Sequence, residues 1–135
     1  MPAAEQRAES SSHTNRRTEE LIMYCFKKLK ENRDFRRIYG RGESFVHPAF
    51  VTYALRSRRD DIRIGITAGK KFGTAVARNR AKRLLTAAFA ECAPMVKDGY
   101  DFVFVARVRI LNCKSHEISA AMMQIFKEAG ITRDA

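Results

Sequence analysis

Hydrophobic and polar residues alternate in the first half of the chain with periods typical of one helix and then of strands. Apolar residues between Leu29 and Ile38 fall near helical spacing, which predicts a short first helix. Asn32 is a possible cap, and glycines at 40 and 42 end the segment. Residues 50–55 are β-prone and residues 62–67 alternate with period two, so we predict two antiparallel strands joined by a charged loop. Residues 44–46 are a candidate for a further short strand.

The second half of the chain predicts two longer helices around one buried strand. Thr74 is a plausible N-cap for a helix from Ala75 to about Glu91. Residues 101–106 are predicted to form a buried strand, since Asp101 is followed by a continuous apolar run over residues 102–106. A last helix opens at Ser115 and ends near Gly130, and its inward positions are Ile118, Met122, Ile125, Phe126 and Ala129. The predicted order is α-β-β-β-α-β-α, a single α/β domain without an internal repeat.

Length and composition limit the class of protein. The chain has 135 residues, enough for one hydrophobic core. Residues 1–20 are polar and serine-rich, so we predict a disordered extension followed by a folded domain over residues 21–135. Three cysteines without a C-x-x-C spacing argue against disulfides and thiolate zinc sites. No apolar stretch approaches the ~20 residues that span a bilayer, and the N-terminus lacks a signal-peptide core. We therefore expect a cytoplasmic protein without a membrane partner.

Positive charge is concentrated in the middle of the chain. The whole sequence carries a formal net charge of +11, and residues 56–83 hold ten basic and two acidic side chains, a net +8. The C-terminal part, residues 84–135, is balanced with six of each. Such a focused field favours a polyanionic partner: nucleic acid, an anionic membrane surface or an acidic protein.

The predicted central helix separates its basic and apolar residues onto two arcs. At about 100° per residue, the basic arc holds Arg78, Asn79, Arg80, Lys82 and Arg83. The opposite arc holds Ala77, Ala81, Leu84, Leu85 and Ala88. Lys70 and Lys71 extend the positive strip toward the helix N-terminus. A solvated surface is the alternative, but residues 63–86 contain no acid to balance these cations, which favours phosphate binding. An alanine-rich arc without Trp argues against membrane insertion.

The sequence gives weaker support for metal, catalytic and nucleotide-binding sites. Asp60 and Asp61 could hold magnesium, but the flanking arginines favour a loop with local ion pairs. The three histidines have no metal-ligand spacing, and no Ser-His-Asp arrangement is recognisable. The segment from Gly69 to Gly73 lacks the Gly-Lys-Ser/Thr ending of a nucleotide-binding loop. The protein alone is therefore not expected to cleave a substrate.

The basic helix also carries a family resemblance. Residues 69–85, GKKFGTAVARNRAKRLL, resemble the signature of the protein subunit of bacterial ribonuclease P. Shorter matches extend the resemblance from about Leu29 to Gly130. They comprise Asp34 and Phe35 with Tyr39, residues 50–53, Gly65 with Ile66, and residues 101–107. Two departures stand out: Thr86 replaces a common arginine, and Gly69 replaces a common serine.

The resemblance implies an α+β two-layer sandwich of the ribosomal protein S5 domain 2-like type. Its mixed four-stranded sheet would contain a left-handed βαβ crossover, against the usual hand. The implied activity is removal of the 5′ leader from precursor tRNA, an endonucleolytic phosphodiester hydrolysis. A catalytic RNA would carry the chemistry with Mg²⁺ bound mainly by that RNA. One protein per RNA is expected.

The resemblance also assigns roles to residues. Arg78, Asn79, Arg80, Lys82 and Arg83 would contact the catalytic RNA, with Lys70 and Lys71 beside them. Phe35, Tyr39 and Tyr53 would line a cleft that receives the single-stranded leader. Core packing is the alternative for Phe35 and Tyr39, which are four apart on a helix. Two rival functions remain open: a ribosomal or other structural RNA-binding protein, and a protein-only nuclease.

Overall fold

A computed structural model describes residues 26–133. The predicted extension, residues 1–20, and Cys25 lie outside these residues. Within these residues five strands are present: β1 Lys27–Lys28, β2 Glu43–Val46, β3 Phe50–Arg56, β4 Arg63–Ala68 and β5 Tyr100–Ala106. The same part of the chain has three α-helices: α1 Asn32–Arg41, α2 Ala75–Cys92 and α3 Ser115–Glu128. Short 3₁₀ turns cover Lys70–Phe72, Ala93–Met95 and Val108–Asn112.

The strands form one mixed sheet in the order β1-β4-β5-β3-β2. β4 is parallel to both β1 and β5, and the other pairs are antiparallel. The prediction of a mixed sheet is confirmed, but the strand count of four is corrected to five. β1 was missed because two residues are too short to show a periodicity. Its place is set by long-range bonds, from the Lys27 amide to the Ile62 carbonyl at 2.8 Å and from the Leu29 amide to the Ile64 carbonyl at 2.7 Å.

Helices α2 and α3 cover one face of the sheet and bury the main core. Side chains alternate along β5, so Phe102 and Phe104 point to these helices whereas Val103 and Val105 point to the opposite face. Phe89 from α2 and Phe126 from α3 are fully buried against the two phenylalanines. Of the predicted inward positions of α3, Ile118, Met122 and Phe126 are buried, while Ile125 and Ala129 are half-buried.

Helix α2 connects the adjacent parallel strands β4 and β5. Its start was predicted correctly: Thr74 is the N-cap, and its hydroxyl accepts a hydrogen bond from the Ala77 amide at 3.1 Å. Gly73 before it has φ +84°, a conformation that favours glycine. The crossover has the predicted connectivity, and its hand stays a prediction. No helix within residues 26–133 has the length and apolar character needed to cross a membrane.

Helix α1 packs on the opposite face and covers part of it, which adds a partial layer to the predicted two-layer sandwich. It begins at Asn32, so the expected cap is instead the first helical residue, and the N-cap position is Glu31 without a side-chain cap bond. Gly40 lies within the helix and Gly42 follows its end. Leu29 lies between β1 and α1, where it is buried beside Ile38 and Val103.

Candidate nucleic-acid interface

The basic arc of α2, hereafter the α2 strip, faces solvent. It consists of Arg78, Asn79, Arg80, Lys82 and Arg83, all exposed except the half-buried Arg78. The opposite side of the helix is anchored in the core by Ala81, Leu85 and Ala88, each fully buried. None of the four cations forms an ion pair with a carboxylate of residues 26–133. The strip is therefore a fixed row of charges available to an anion.

Lys70 and Lys71 lie on the 3₁₀ turn between β4 and α2 and are both exposed. Phe72 in the same turn is buried and anchors it to the core. Together with Arg107 and Arg109 the two lysines line a groove of about 720 Å³ at the carboxyl ends of β4 and β5. We call this the strand-end groove.

Sequence reasoning missed Arg107 and Arg109 as part of the basic surface. The C-terminal part of the chain has no net charge, so its cations did not stand out. The signal that could have found them is their position directly after the predicted buried strand. Because β4 and β5 are parallel neighbours, their carboxyl ends bring Arg107 close to the turn that holds Lys70.

The three aromatic residues predicted to line a cleft come together on the α1 face. Tyr39 from α1 and Tyr53 from β3 form an edge-to-face pair with ring centroids 4.9 Å apart. Phe35, one turn before Tyr39, lies against the backbone of Gly65 in β4. A Cβ atom at Gly65 would stand 2.5 Å from the Phe35 ring, so only glycine leaves room for it.

Helix α1 leaves part of its sheet face open. It crosses the neighbouring residues Gly65, Val103 and Tyr53, which are register partners on three strands. The next row of partners toward the carboxyl end of β5 consists of Thr67, Val105 and Val51, all half-exposed. We call this row the open floor. Val105 also lines the strand-end groove, so the aromatic cleft continues into the basic groove.

The predicted cleft residues differ in how deeply their side chains are buried. Phe35 and Tyr53 are half-buried and pack against the cluster of Leu29, Ile38 and Val103. Tyr39 is 39% exposed. The packing alternative for Phe35 and Tyr39 therefore describes part of Phe35 but not the exposed Tyr39, and Tyr53 also packs in part against this cluster.

A group of four charged residues around one buried carboxylate, the α1 ion cluster, joins α1 to the sheet and was not predicted. Asp101 of β5 is fully buried. Arg63 donates to its two oxygens from Nε at 3.0 Å and from Nη2 at 2.8 Å, and Arg37 of α1 donates from Nη2 at 2.9 Å. Asp34 of α1 completes the cluster, 3.3 Å from Arg37 and 3.7 Å from Arg63. Hydrogen bonding to Asp101 raises the pKa of Arg63.

The acidic residues do not fit a magnesium site. Both oxygens of Asp61 accept hydrogen bonds from Arg59 at 2.9 Å, and Lys27 Nζ lies 3.2 Å away. The Arg59 bonds, followed by that of Lys27, hold the pKa of Asp61 well below its usual value of 3.8. Asp61 therefore belongs to a loop with local ion pairs, as the sequence favoured. Within the described part of the chain, no three His, Cys, Asp or Glu side chains cluster as metal ligands would.

The two departures from the family pattern have simple local structures. The Thr86 hydroxyl donates to the Lys82 carbonyl at 2.8 Å and thus adds no charge to the α2 strip. Gly69 has φ −81°, and a Cβ there would meet no atom within 4 Å. A serine would therefore fit at this position, and the glycine is not required by backbone geometry.

Comparisons with known proteins agree on one family. The family model described as Ribonuclease P matches residues 23–130. A ribonuclease P protein component of Clostridium beijerinckii is 38% identical over 111 residues, covering 77% of this chain and 89% of the relative. One from Clostridioides difficile is 36% identical over 107 residues, covering 78% and 94%. The solved RNase P protein of Staphylococcus aureus superposes with a TM-score of 0.67 at 30% identity, covering 77% of this chain and 95% of its own.

Proposed function

The chain belongs to the ribonuclease P protein family, and from this premise we propose how its surfaces share the work of that ribonucleoprotein. It is the protein subunit of an RNA-processing endonuclease whose partner is an RNA subunit. In our proposal the α2 strip with Lys70 and Lys71 binds the catalytic RNA. The cleft of Phe35, Tyr39 and Tyr53 holds the 5′ leader of precursor tRNA. The catalytic RNA, with Mg²⁺ that it binds itself, performs the hydrolysis in the cytoplasm, with one protein per RNA.

The observation that carries RNA binding is the row of cations on α2 that have no carboxylate partner among residues 26–133. Each guanidinium can donate two parallel hydrogen bonds to a phosphate. The buried alanines beneath the helix fix the face from which these groups project, so the backbone need not rearrange on binding. Counterions released from the RNA phosphates supply favourable free energy, and the repulsion between neighbouring cations decreases on binding.

The continuity of the aromatic cleft with the strand-end groove supports leader binding. Stacking of a base on an aromatic ring contributes ~1–3 kcal/mol and tolerates any base, because every base has a π-face. The adjacent cations Arg107 and Lys70 would hold the backbone phosphates of the same strand. A leader of variable sequence could thus be held by stacking and charge without base-specific hydrogen bonds.

A reconstitution assay tests the function as a whole. The wild-type chain is added to its ribonuclease P RNA at low Mg²⁺, and cleavage of precursor tRNA is measured. We expect cleavage to increase with added protein, since bound cations replace part of the Mg²⁺ that folds the RNA. No increase would favour a structural RNA-binding protein instead. Cleavage by protein free of RNA would support a protein-only nuclease.

The α2 strip is tested by its salt dependence. In Arg78→Ala/Arg80→Ala, RNA binding should weaken, and the slope of log K against log salt should fall by about 0.7–0.9 for each lost phosphate contact. The matched control is Arg56→Ala/Arg58→Ala, which removes two exposed arginines outside the proposed surfaces. Equal slopes for both double variants would reject the α2 strip as the RNA contact.

The role of the cleft is tested by measuring how much the leader contributes to the affinity of the holoenzyme for tRNA. Tyr39→Ala removes an exposed ring and should weaken binding of leader-bearing precursor to the holoenzyme by roughly 5-fold or more, equivalent to one stacked base. Affinity for mature tRNA should not change. Equal losses for the two RNAs would contradict the assignment of the cleft.

A further inference from the structure

The α1 ion cluster lies beside the cleft but faces away from its open side. Arg63, Asp101 and Leu55 are register partners in the row on the other side of α1 from the open floor. We propose that Asp101, through Arg37 and Arg63, is a positioning residue that fixes α1 over the sheet and so sets the shape of the leader cleft. The inference rests on the proposed leader-binding function.

Apolar packing alone gives α1 a small and non-directional contact. Ile38 is its one fully buried residue, whereas α2 buries five. The sheet surface beneath α1 includes Gly65, which has no side chain, and Val103, whose side chain is short. Contacts of this kind fix the position of a helix less sharply than hydrogen bonds do, because hydrophobic burial is roughly proportional to area and has no preferred direction.

The ion cluster supplies the missing direction. A fully buried carboxylate is costly unless its oxygens receive hydrogen bonds with good geometry. Asp101 receives three, and one comes from α1 through Arg37. Asp34, also on α1, closes the group with a second ion pair to Arg37. A shift of α1 would break the Arg37 bond and leave the buried carboxylate with only its two bonds from Arg63, so the helix position that keeps the Arg37 bond is favoured.

The position of α1 directly determines where the cleft residues Phe35 and Tyr39 lie. Phe35 follows Asp34 in the chain, and Tyr39 lies two residues after Arg37. The Tyr39 ring meets Tyr53 at 4.9 Å, and Phe35 fits against Gly65 with no space to spare. If α1 moves, both contacts change and the aromatic surface offered to a base changes with them.

Because the α1 ion cluster has no net charge, a positioning role can be distinguished by experiment from a direct contact with RNA. The cluster contains two cations and two carboxylates. Asp101→Asn makes the protein more positive, so electrostatics alone would strengthen RNA binding. The positioning role requires the opposite result for leader-bearing RNA. The matched control is Asp61→Asn, which also removes a carboxylate paired with two cations but has no bond to α1.

The experiment measures holoenzyme affinity for precursor tRNA with a leader and for mature tRNA. In Asp101→Asn we expect the ratio of the two affinities to fall by roughly 5-fold or more, the contribution of one stacked base, with mature tRNA unaffected. Asp61→Asn should keep the wild-type ratio. An unchanged ratio in Asp101→Asn, or the same fall in Asp61→Asn, would overturn the inference.

A double-variant cycle separates this inference from the proposed function. If Asp101 acts through the cleft, Tyr39→Ala should cost much less leader affinity in the Asp101→Asn background than in wild type. Additive effects would overturn the positioning role and leave leader binding intact. Loss of the Tyr39→Ala effect in the wild-type background would instead refute leader binding by the cleft.

A milder variant covers the case in which Asp101→Asn does not fold. Arg37→Lys keeps the charge but cannot reproduce the planar guanidinium fork. We expect faster hydrogen exchange of α1 amides than in wild type, unchanged exchange in α2, and the same selective loss of leader affinity. Wild-type exchange in α1 together with a wild-type affinity ratio would overturn the inference.

Discussion

Gly65→Ala is the substitution for which the structure gives the sharpest expectation. The new Cβ would lie 2.5 Å from two carbons of the Phe35 ring and 3.2 Å from Leu29 Cδ1. Carbon atoms in contact ordinarily lie about 3.5–4.0 Å apart, so the ring must retreat by about 1 Å or more. The ring is held between the strand and α1, so its retreat displaces the helix. Such overpacking costs about 1–3 kcal/mol, of which the better strand propensity of alanine returns about 0.5–1 kcal/mol.

Thermal unfolding measures this cost. A net loss of about 1–2 kcal/mol lowers Tm by about 4–8 °C per kcal/mol in a domain of this size. The leader contribution to holoenzyme affinity should fall in the same variant, because Phe35 and Tyr39 belong to the displaced helix. Gly69→Ala is the matched control: nothing lies within 4 Å of its Cβ and its φ is −81°, so we expect wild-type stability and affinity.

The outcome for Gly65→Ala can refute the reasoning directly. Wild-type Tm together with a wild-type leader contribution would mean that the Phe35 ring can leave its place without disturbing α1. In that case the close contact at Gly65 would not define the cleft wall. A lower Tm with an unchanged leader contribution would keep the packing argument and remove Phe35 from the binding surface.

Three further predictions concern the N-cap, an acid-sensitive ion pair and a buried thiol. Thr74→Ala removes the α2 cap and should cost about 1 kcal/mol in urea unfolding. The lowered pKa of Asp61 contributes stability above about pH 4 that is lost as the pH falls, so Asp61→Asn should lose less stability than wild type on acidification. Burial raises the pKa of Cys92 to about 12, so native alkylation near pH 8, mapped by mass spectrometry, should spare Cys92 and modify the half-buried Cys113.

The features of α2 could be predicted because local sequence determines them. A cap residue, an alanine-lined arc and a basic arc are all encoded within residues 74–92, and the structure confirms the helix and its buried arc. The same holds for β5 and α3, whose apolar patterns are long enough to show their period. The predicted inward positions of α3 differ from expectation at the margin of the core, where Ile125 and Ala129 are half-buried.

Features that depend on distant residues could not be predicted. β1 exists because the Lys27 and Leu29 amides find carbonyls about 35 residues away, and no local period marks it. Arg107 joins the basic surface because β4 and β5 are neighbours, which is a property of topology. The partnership of Asp101 with Arg37 and Arg63 spans 64 and 38 residues, so nothing in the local sequence distinguishes these arginines from solvated ones.

The number of cations in a segment therefore does not identify an RNA-binding surface until their partners are known. Residues 27–41 hold seven basic side chains, about as dense a run as the α2 strip. In the structure Lys27, Arg33 and Arg37 each form an ion pair with a carboxylate. The cations of the α2 strip have no such partner within residues 26–133. The α2 strip is thus more available to a polyanion than Arg37, which holds α1 to the sheet. The two should differ in their response to salt: RNA binding by the α2 strip should weaken, while the pairs at the buried Asp101 should persist.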